Sequence, residues 1–155
     1  MDKVPLELLK SKCAYTVDGG HIGELETECF NAFRSDVVFK GNATHTGTAR
    51  GTMVNAISMA SSFVANLPAG ERPETTDGRQ GFFALISIEG SIEESKVSLL
   101  LRDFSADGME KRKSTVELLA KTISELFGGK AEVLHTQQYL NMKENLDKNP
   151  KVAER

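Results

Sequence analysis

Tryptophan is absent from this sequence, proline occurs four times and cysteine only twice. The two thiols, Cys13 and Cys29, form no CxxC pair and no metal-finger spacing, so they read as reduced thiols rather than a disulfide framework. No apolar run approaches the roughly 20 residues needed to cross a bilayer. The opening segment, MDKVPLELLKSK, lacks the basic start and long apolar stretch of a secretory signal. These absences set the expectation of a cytoplasmic protein with no membrane partner. Basic residues are not in excess: 19 Lys and Arg against 22 Asp and Glu leave a net charge of −3, too little positive field to hold nucleic acid or anionic lipid. GxSxG, HExxH and phosphate-binding glycine loops are also missing.

What remains is a chain of 155 residues, 39% of them hydrophobic, enough for one core of ordinary size. Residues 4–10 read as a short helix or irregular lead-in, and 13–17 as a short strand ended by Asp18-Gly19-Gly20. Gly23 to Glu28 is an acidic connection. Phe33, Val37 and Phe39 recur at even spacing, which predicts a strand over 29–40. Met53, Ala56, Ile57, Ala60, Val64 and Leu67 make one apolar stripe of a helix started by Thr48 or Gly51 and stopped by Pro68. After an exposed loop at 69–79 come strands at 81–89 and 96–104, joined by a hairpin. Asp107 with Glu110 offers a cap for a second helix. Its stripe is Val116, Leu119, Ala120, Ile123 and Phe127, and Gly128-Gly129 ends it. A last strand covers 131–139, and the polar tail from Lys143 reads as frayed. The order is the ferredoxin-like βαββαβ arrangement: an α+β antiparallel sheet with both helices on one face.

Few residues stand out chemically. Asp18 sits at a strand end beside two glycines, where it presents a carboxylate or caps its own backbone. His45 lies in the polar loop Asn42-Ala43-Thr44-His45-Thr46-Gly47, the setting of either a working or an idle histidine. Arg102 interrupts the apolar run Leu99-Leu100-Leu101. It suits pairing with Asp103 or Glu89, or holding a substrate carboxylate with its planar fork. Asp18, His21, Cys29 and His45 match no common metal-ligand spacing.

Read together, several segments resemble the zinc tripeptide aminopeptidases of the peptidase T type, within the metallopeptidase family that includes aminoacylase and carboxypeptidase G. They are Tyr15-Thr16-Val17-Asp18-Gly19-Gly20, Gly23-Glu24-Leu25-Glu26, Phe39-Lys40-Gly41, His45-Thr46-Gly47-Thr48-Ala49, Met53-Val54-Asn55-Ala56, Arg102-Asp103-Phe104 and Tyr139-Leu140-Asn141-Met142. The resemblance runs from about Ala14 to Pro150. It implies a two-zinc catalytic domain into which a ferredoxin-like lid, or dimerisation, domain is inserted. This chain is similar to that lid (29–141) with remnant flanks of the catalytic domain at 1–28 and 142–155.

By the same resemblance Asp18 matches a zinc ligand. His45 matches a lid histidine that helps hold the oxyanion, reaching the neighbouring subunit's active site in dimers. Arg102 matches the arginine that binds the substrate's C-terminal carboxylate, and Asn55 supports the substrate or the histidine loop. Thr46 departs from the proline that the family more often carries there, which frees the loop backbone. The family's remaining zinc ligands and its adjacent glutamate pair, source of the general base, have no counterpart. The expectation is therefore an excised or truncated lid that binds no zinc stably, dimerises with itself, and turns over no peptide alone. The alternative is a free-standing dimerising interaction or ligand-binding module of the same fold.

Overall fold

The computed structural model describes residues 6–8, 10–11, 13–17 and 22–153. Asp18, His21 and the 18–20 turn lie outside them. The chain divides into two compact units, Met1–Thr27 with Met142–Arg155, and Glu28–Asn141. No helix among the described residues is long and apolar enough to cross a membrane.

The larger unit is the ferredoxin-like fold. Its elements are β1 (Asn31–Lys40), α1 (Ala56–Asn66), β2 (Phe82–Gly90), β3 (Glu94–Asp103), α2 (Ala106–Phe127) and β4 (Lys130–Tyr139). The strands run in the order β2-β3-β1-β4 with every neighbouring pair antiparallel. Period-two alternation divides the sheet's faces. Val37, Phe39, Val97, Leu99 and Leu101 are fully buried, as are Met59 and Phe63 of α1 and Val116 of α2. The opposite face carries cross-strand rows such as Thr136–Arg34–Leu100–Ala84 and Leu134–Asp36–Ser98–Ser87. On it Asp36 accepts from Ser98 Oγ at 2.6 Å and from Arg34 Nε at 3.1 Å, with Lys96 Nζ at 3.3 Å. Burial alone would raise the Asp36 pKa, but these partners outweigh it and hold the carboxyl below its ordinary value.

Both helix starts differ from the sequence reading. α1 begins at Ala56, because Asn55 Oδ1 accepts from the amides of Ile57 (2.9 Å) and Ser58 (3.3 Å). Thr48 is instead taken up in a 3-10 turn, and Gly51 has φ +77°, outside any right-handed helix. Ser105, not Asp107, caps α2, its Oγ accepting from the Gly108 amide at 2.9 Å. Gly128, at φ +73°, closes that helix in the left-handed conformation.

The other unit holds a 3-10 turn at Leu6–Leu8, the short helix α3 (Lys143–Asp147) and a 3-10 turn at Pro150–Val152. Residues 13–17 form no strand; Tyr15 Oη donates to the Val152 carbonyl at 2.8 Å. Nor is the tail wholly irregular. Pairs four residues apart, Lys143–Asp147 and Glu144–Lys148, brace α3.

The start of α2 is locked by a partly buried charge network. Asp103 accepts from the Ser105 amide at 2.9 Å and from Arg112 Nε at 3.0 Å, while Arg112 also pairs with Glu71. The guanidinium lies 5.0 Å from the centre of the Phe83 ring. Gly108 passes directly over the Asp103 carboxyl, and a Cβ there would collide with it. Helix propensity alone favours Gly108→Ala by about 1 kcal/mol. Overpacking against a carboxylate tethered on two sides costs about 1–3 kcal/mol and wins. Gly108→Ala is therefore expected to lower the urea midpoint of unfolding.

Candidate functional site

The loop between β1 and α1 is tied shut at its base. Asn42 and Val54 exchange backbone hydrogen bonds at 2.8 and 3.0 Å, and Asn42 Nδ2 donates to the Thr52 carbonyl at 3.0 Å. Gly41 N bonds Glu93 O and Ala56 N bonds Ile92 O, fixing the loop to the β2–β3 hairpin. His45 stands exposed at its start, before a 3-10 turn at Thr46–Thr48. Its Nδ1 accepts from the Gly47 amide at 3.2 Å. That bond assigns the ring proton of the neutral imidazole to Nε2, which points a donor away from the backbone. Asn55 ends the same loop with its Oδ1 spent on capping α1.

Arg102 is placed elsewhere. It stands opposite Ala32, whereas the histidine loop leaves β1 after Lys40. Those two positions are eight residues apart along β1, about 26 Å of strand at the usual rise. The structure thus groups His45 with Asn55 and separates both from Arg102. Neither Asp103 nor Glu89 pairs with Arg102: Asp103 points to the helix face by strand alternation and engages Arg112, and Glu89 stands opposite Lys96, six residues along β3 from Arg102. Arg102 Nη1 instead donates to the Leu101 carbonyl at 3.0 Å and Nη2 to Gln138 Oε1 at 3.1 Å. Tyr139 lies beneath it, with its ring centre 5.5 Å from the guanidinium carbon. Among the described residues no carboxylate pairs with it.

One constellation escaped the sequence reading, since its members are 82 residues or more apart from Ser35. His135 Nδ1 lies 2.7 Å from Ser35 Oγ, and its Nε2 lies 3.3 Å from Glu117 Oε1. The second contact lacks hydrogen-bond geometry, so it is an electrostatic neighbour only. Serine, imidazole and carboxylate in a row resemble a nucleophilic triad. Ser35 is fully buried on the helix face, out of reach of any substrate. The cluster is a packing element between β1, β4 and α2.

Cys13 and Cys29 are free thiols. Among the described residues no group of three His, Cys, Asp or Glu side chains is placed to hold a metal ion. Their donor set does not fit a zinc centre.

The sequence profile of the peptidase dimerisation domain matches residues 27–130. The chain belongs to that family. This dimerisation domain is 42% identical over 147 residues to peptidase T of Listeria welshimeri, covering 94% of the chain but 36% of that relative. It therefore spans about a third of the length of the curated relatives it matches. The crystal structure of aminopeptidase PepT from Bacillus cereus has the same fold, with a TM-score of 0.74 at 20% identity, over 92% of this chain and 39% of that one. A Bacillus subtilis structure described as a dinuclear metal-binding peptidase of the M20 family superposes with a TM-score of 0.54 at 12% identity, over 72% of this chain and 27% of that one.

The partly buried imidazole of His135 is expected to make the stability of the dimerisation domain depend on pH. Burial is the largest influence on His135 and pushes its pKa below the ordinary value; Glu117 opposes, Lys113 reinforces and Glu110 opposes. A histidine whose folded pKa lies below its unfolded one takes up protons on unfolding. Its contribution is intact above the unfolded value of about 6.5 and is lost as pH falls below it. The urea midpoint is expected to drop between pH 7.5 and 5.5, and His135→Gln to flatten that drop.

Proposed function

We propose that this domain is the lid of a peptidase T-like aminopeptidase that removes the N-terminal residue of tripeptides with two zinc ions. In this reading residues 29–141 form the lid, and 1–28 and 142–155 are flanks of the catalytic domain. Asp18 would be one zinc ligand, and bound metal in the complete enzyme would supply activated water. Arg102 takes the substrate's C-terminal carboxylate, His45 donates through Nε2 to the developing oxyanion, and Asn55 holds the histidine loop. The enzyme is cytoplasmic and acts on peptides, with neither nucleic acid nor membrane as partner.

The observation that carries this reading is the placement of His45 and Arg102 at opposite ends of β1. An extended tripeptide spans about 10 Å, so one molecule of substrate cannot touch both groups of one subunit. Two subunits related by a two-fold axis resolve this, each lending its His45 to its partner's site and keeping Arg102 for its own. The two sheet edges also differ. β2 carries an uncharged, apolar run from Phe82 to Ile88, with Leu85, Ile86 and Ile88 exposed, whereas β4 bears Lys130, Glu132, His135 and glutamines. Although a register shift at Ile86 interrupts this strand, an uncharged apolar edge is better suited to pairing with a second copy than a charged one. We therefore assign the dimer contact to β2.

Sedimentation equilibrium of the 155-residue chain is expected to give a concentration-dependent dimer, with Ile86→Lys shifted to monomer. Tripeptide hydrolysis in the presence of zinc is expected to be absent. Zinc-dependent turnover abolished by Asp18→Ala would overturn the lid reading, and a strictly monomeric chain would overturn the shared-site reading.

A further inference from the structure

A bulge aims two side chains at Arg102. β4 pairs with β1 in continuous register from Lys130–Lys40 to Gln137–Phe33, yet the next pair is Tyr139 with Ala32, so Gln138 is an extra residue. Without it, alternation would turn Tyr139 to the helix face. With it, Tyr139 stands on the open face beside Ala32, whose other cross-strand partner is Arg102. Bulges of this kind commonly re-aim a side chain near a working site.

Three other arginines differ in one respect. Arg34 pairs with Asp36, Arg79 with Glu28, and Arg112 with Asp103 and Glu71. Arg102 is held by the Leu101 carbonyl, the Gln138 amide oxygen and the Tyr139 ring. Each fixes the plane of the guanidinium and none carries a full negative charge. Two of its five hydrogens are used, which leaves Nε–H and one further hydrogen on each Nη for a planar anion. An arginine immobilised by neutral partners keeps its charge for a ligand and spends little entropy on binding it.

We propose that Gln138 is the positioning residue of the carboxylate anchor: delivered by the β4 bulge, it orients Arg102 without neutralising it, with Tyr139 as the platform. This rests on the reading of Arg102 as the group that binds a substrate carboxylate. The class of ligand is a peptide with a free C-terminal carboxylate.

The test is a titration of the isotope-labelled 155-residue chain with trialanine as free acid and as C-terminal amide, following the Arg102 Nε–H resonance. The acid is expected to shift that resonance saturably at millimolar concentration, and the amide to leave it unmoved. Gln138→Glu, nearly the same shape but charged, closes onto the guanidinium and is expected to weaken acid binding about tenfold or more. Gln138→Met, which keeps the bulk but lacks the acceptor, is expected to weaken it about threefold. Thermal unfolding of both variants reports whether the fold is kept. Acid binding undiminished in folded Gln138→Glu overturns the positioning role alone. Equal responses to acid and amide in the unsubstituted chain, or none to either, overturn the Arg102 reading together with this inference.

Discussion

The structure depends on the single register that joins β1 to β3, Val37 opposite Val97 and Ser35 opposite Leu99. Because side chains alternate, that pairing sends one set of residues from both strands under α1 and α2 and the other set to the open face. A slip of β1 by one residue would put Phe39 in water and bury Arg34, and a slip of β3 would do the same to Leu101 and Arg102. The same register spaces the two candidate groups, since it sets Arg102 against Ala32 at one end and sends the histidine loop from Lys40 at the other. The distance between the two candidate groups is a property of strand length, and no loop adjustment removes it.

Polar groups stiffen the two ends rather than the middle. At the Arg102 end, Asn31 Nδ2 donates to the Asp103 and Phe104 carbonyls, and Asn31 Oδ1 accepts from the Asn141 amide at 2.9 Å. Asn141 in turn reaches Phe104 O and the Cys29 amide through its side chain. Two asparagines thus bind the start of β1, the end of β3 and the segment after β4 into one knot. At the other end, the Asn42–Val54 bridge and the Asn55 cap hold the loop that presents His45. An unpaired buried amide costs about 1–3 kcal/mol, which applies to Asn31 and keeps the Arg102 end intact; at the His45 end the bridge and cap are exposed.

Much of this was legible in the sequence. Even spacing of Phe33, Val37 and Phe39 marked β1, the Val116–Ala120–Ile123 stripe marked α2, and Gly128 marked its end. The order of elements then sufficed for the ferredoxin-like fold. Residue type alone offers Thr48, Gly51 and Asp107 as caps beside Asn55 and Ser105; which one caps depends on backbone angles set by contacts far away in sequence. Pairing of Arg102 with Asp103 or Glu89 is equally plausible from charge alone, but alternation turns Asp103 to the other face and the β2–β3 register sets Glu89 opposite Lys96, six residues along β3 from Arg102. The family resemblance brought out His45, Asn55 and Arg102 as residues of interest. It could not tell that the first two share one end and the third the other, nor could it show the β4 bulge, which exists only as a mismatch between two strands. Asp18 lies outside the described residues.

The central claim is that the domain pairs through β2 so that His45 and Arg102 of different subunits serve one site. Hydrogen exchange measured across a dilution series tests it most directly. The account predicts that amides of Leu85 to Ile88 exchange more slowly as concentration rises, while those of β4 do not change. Slowing along β4, or no dependence on concentration at either edge, would contradict it.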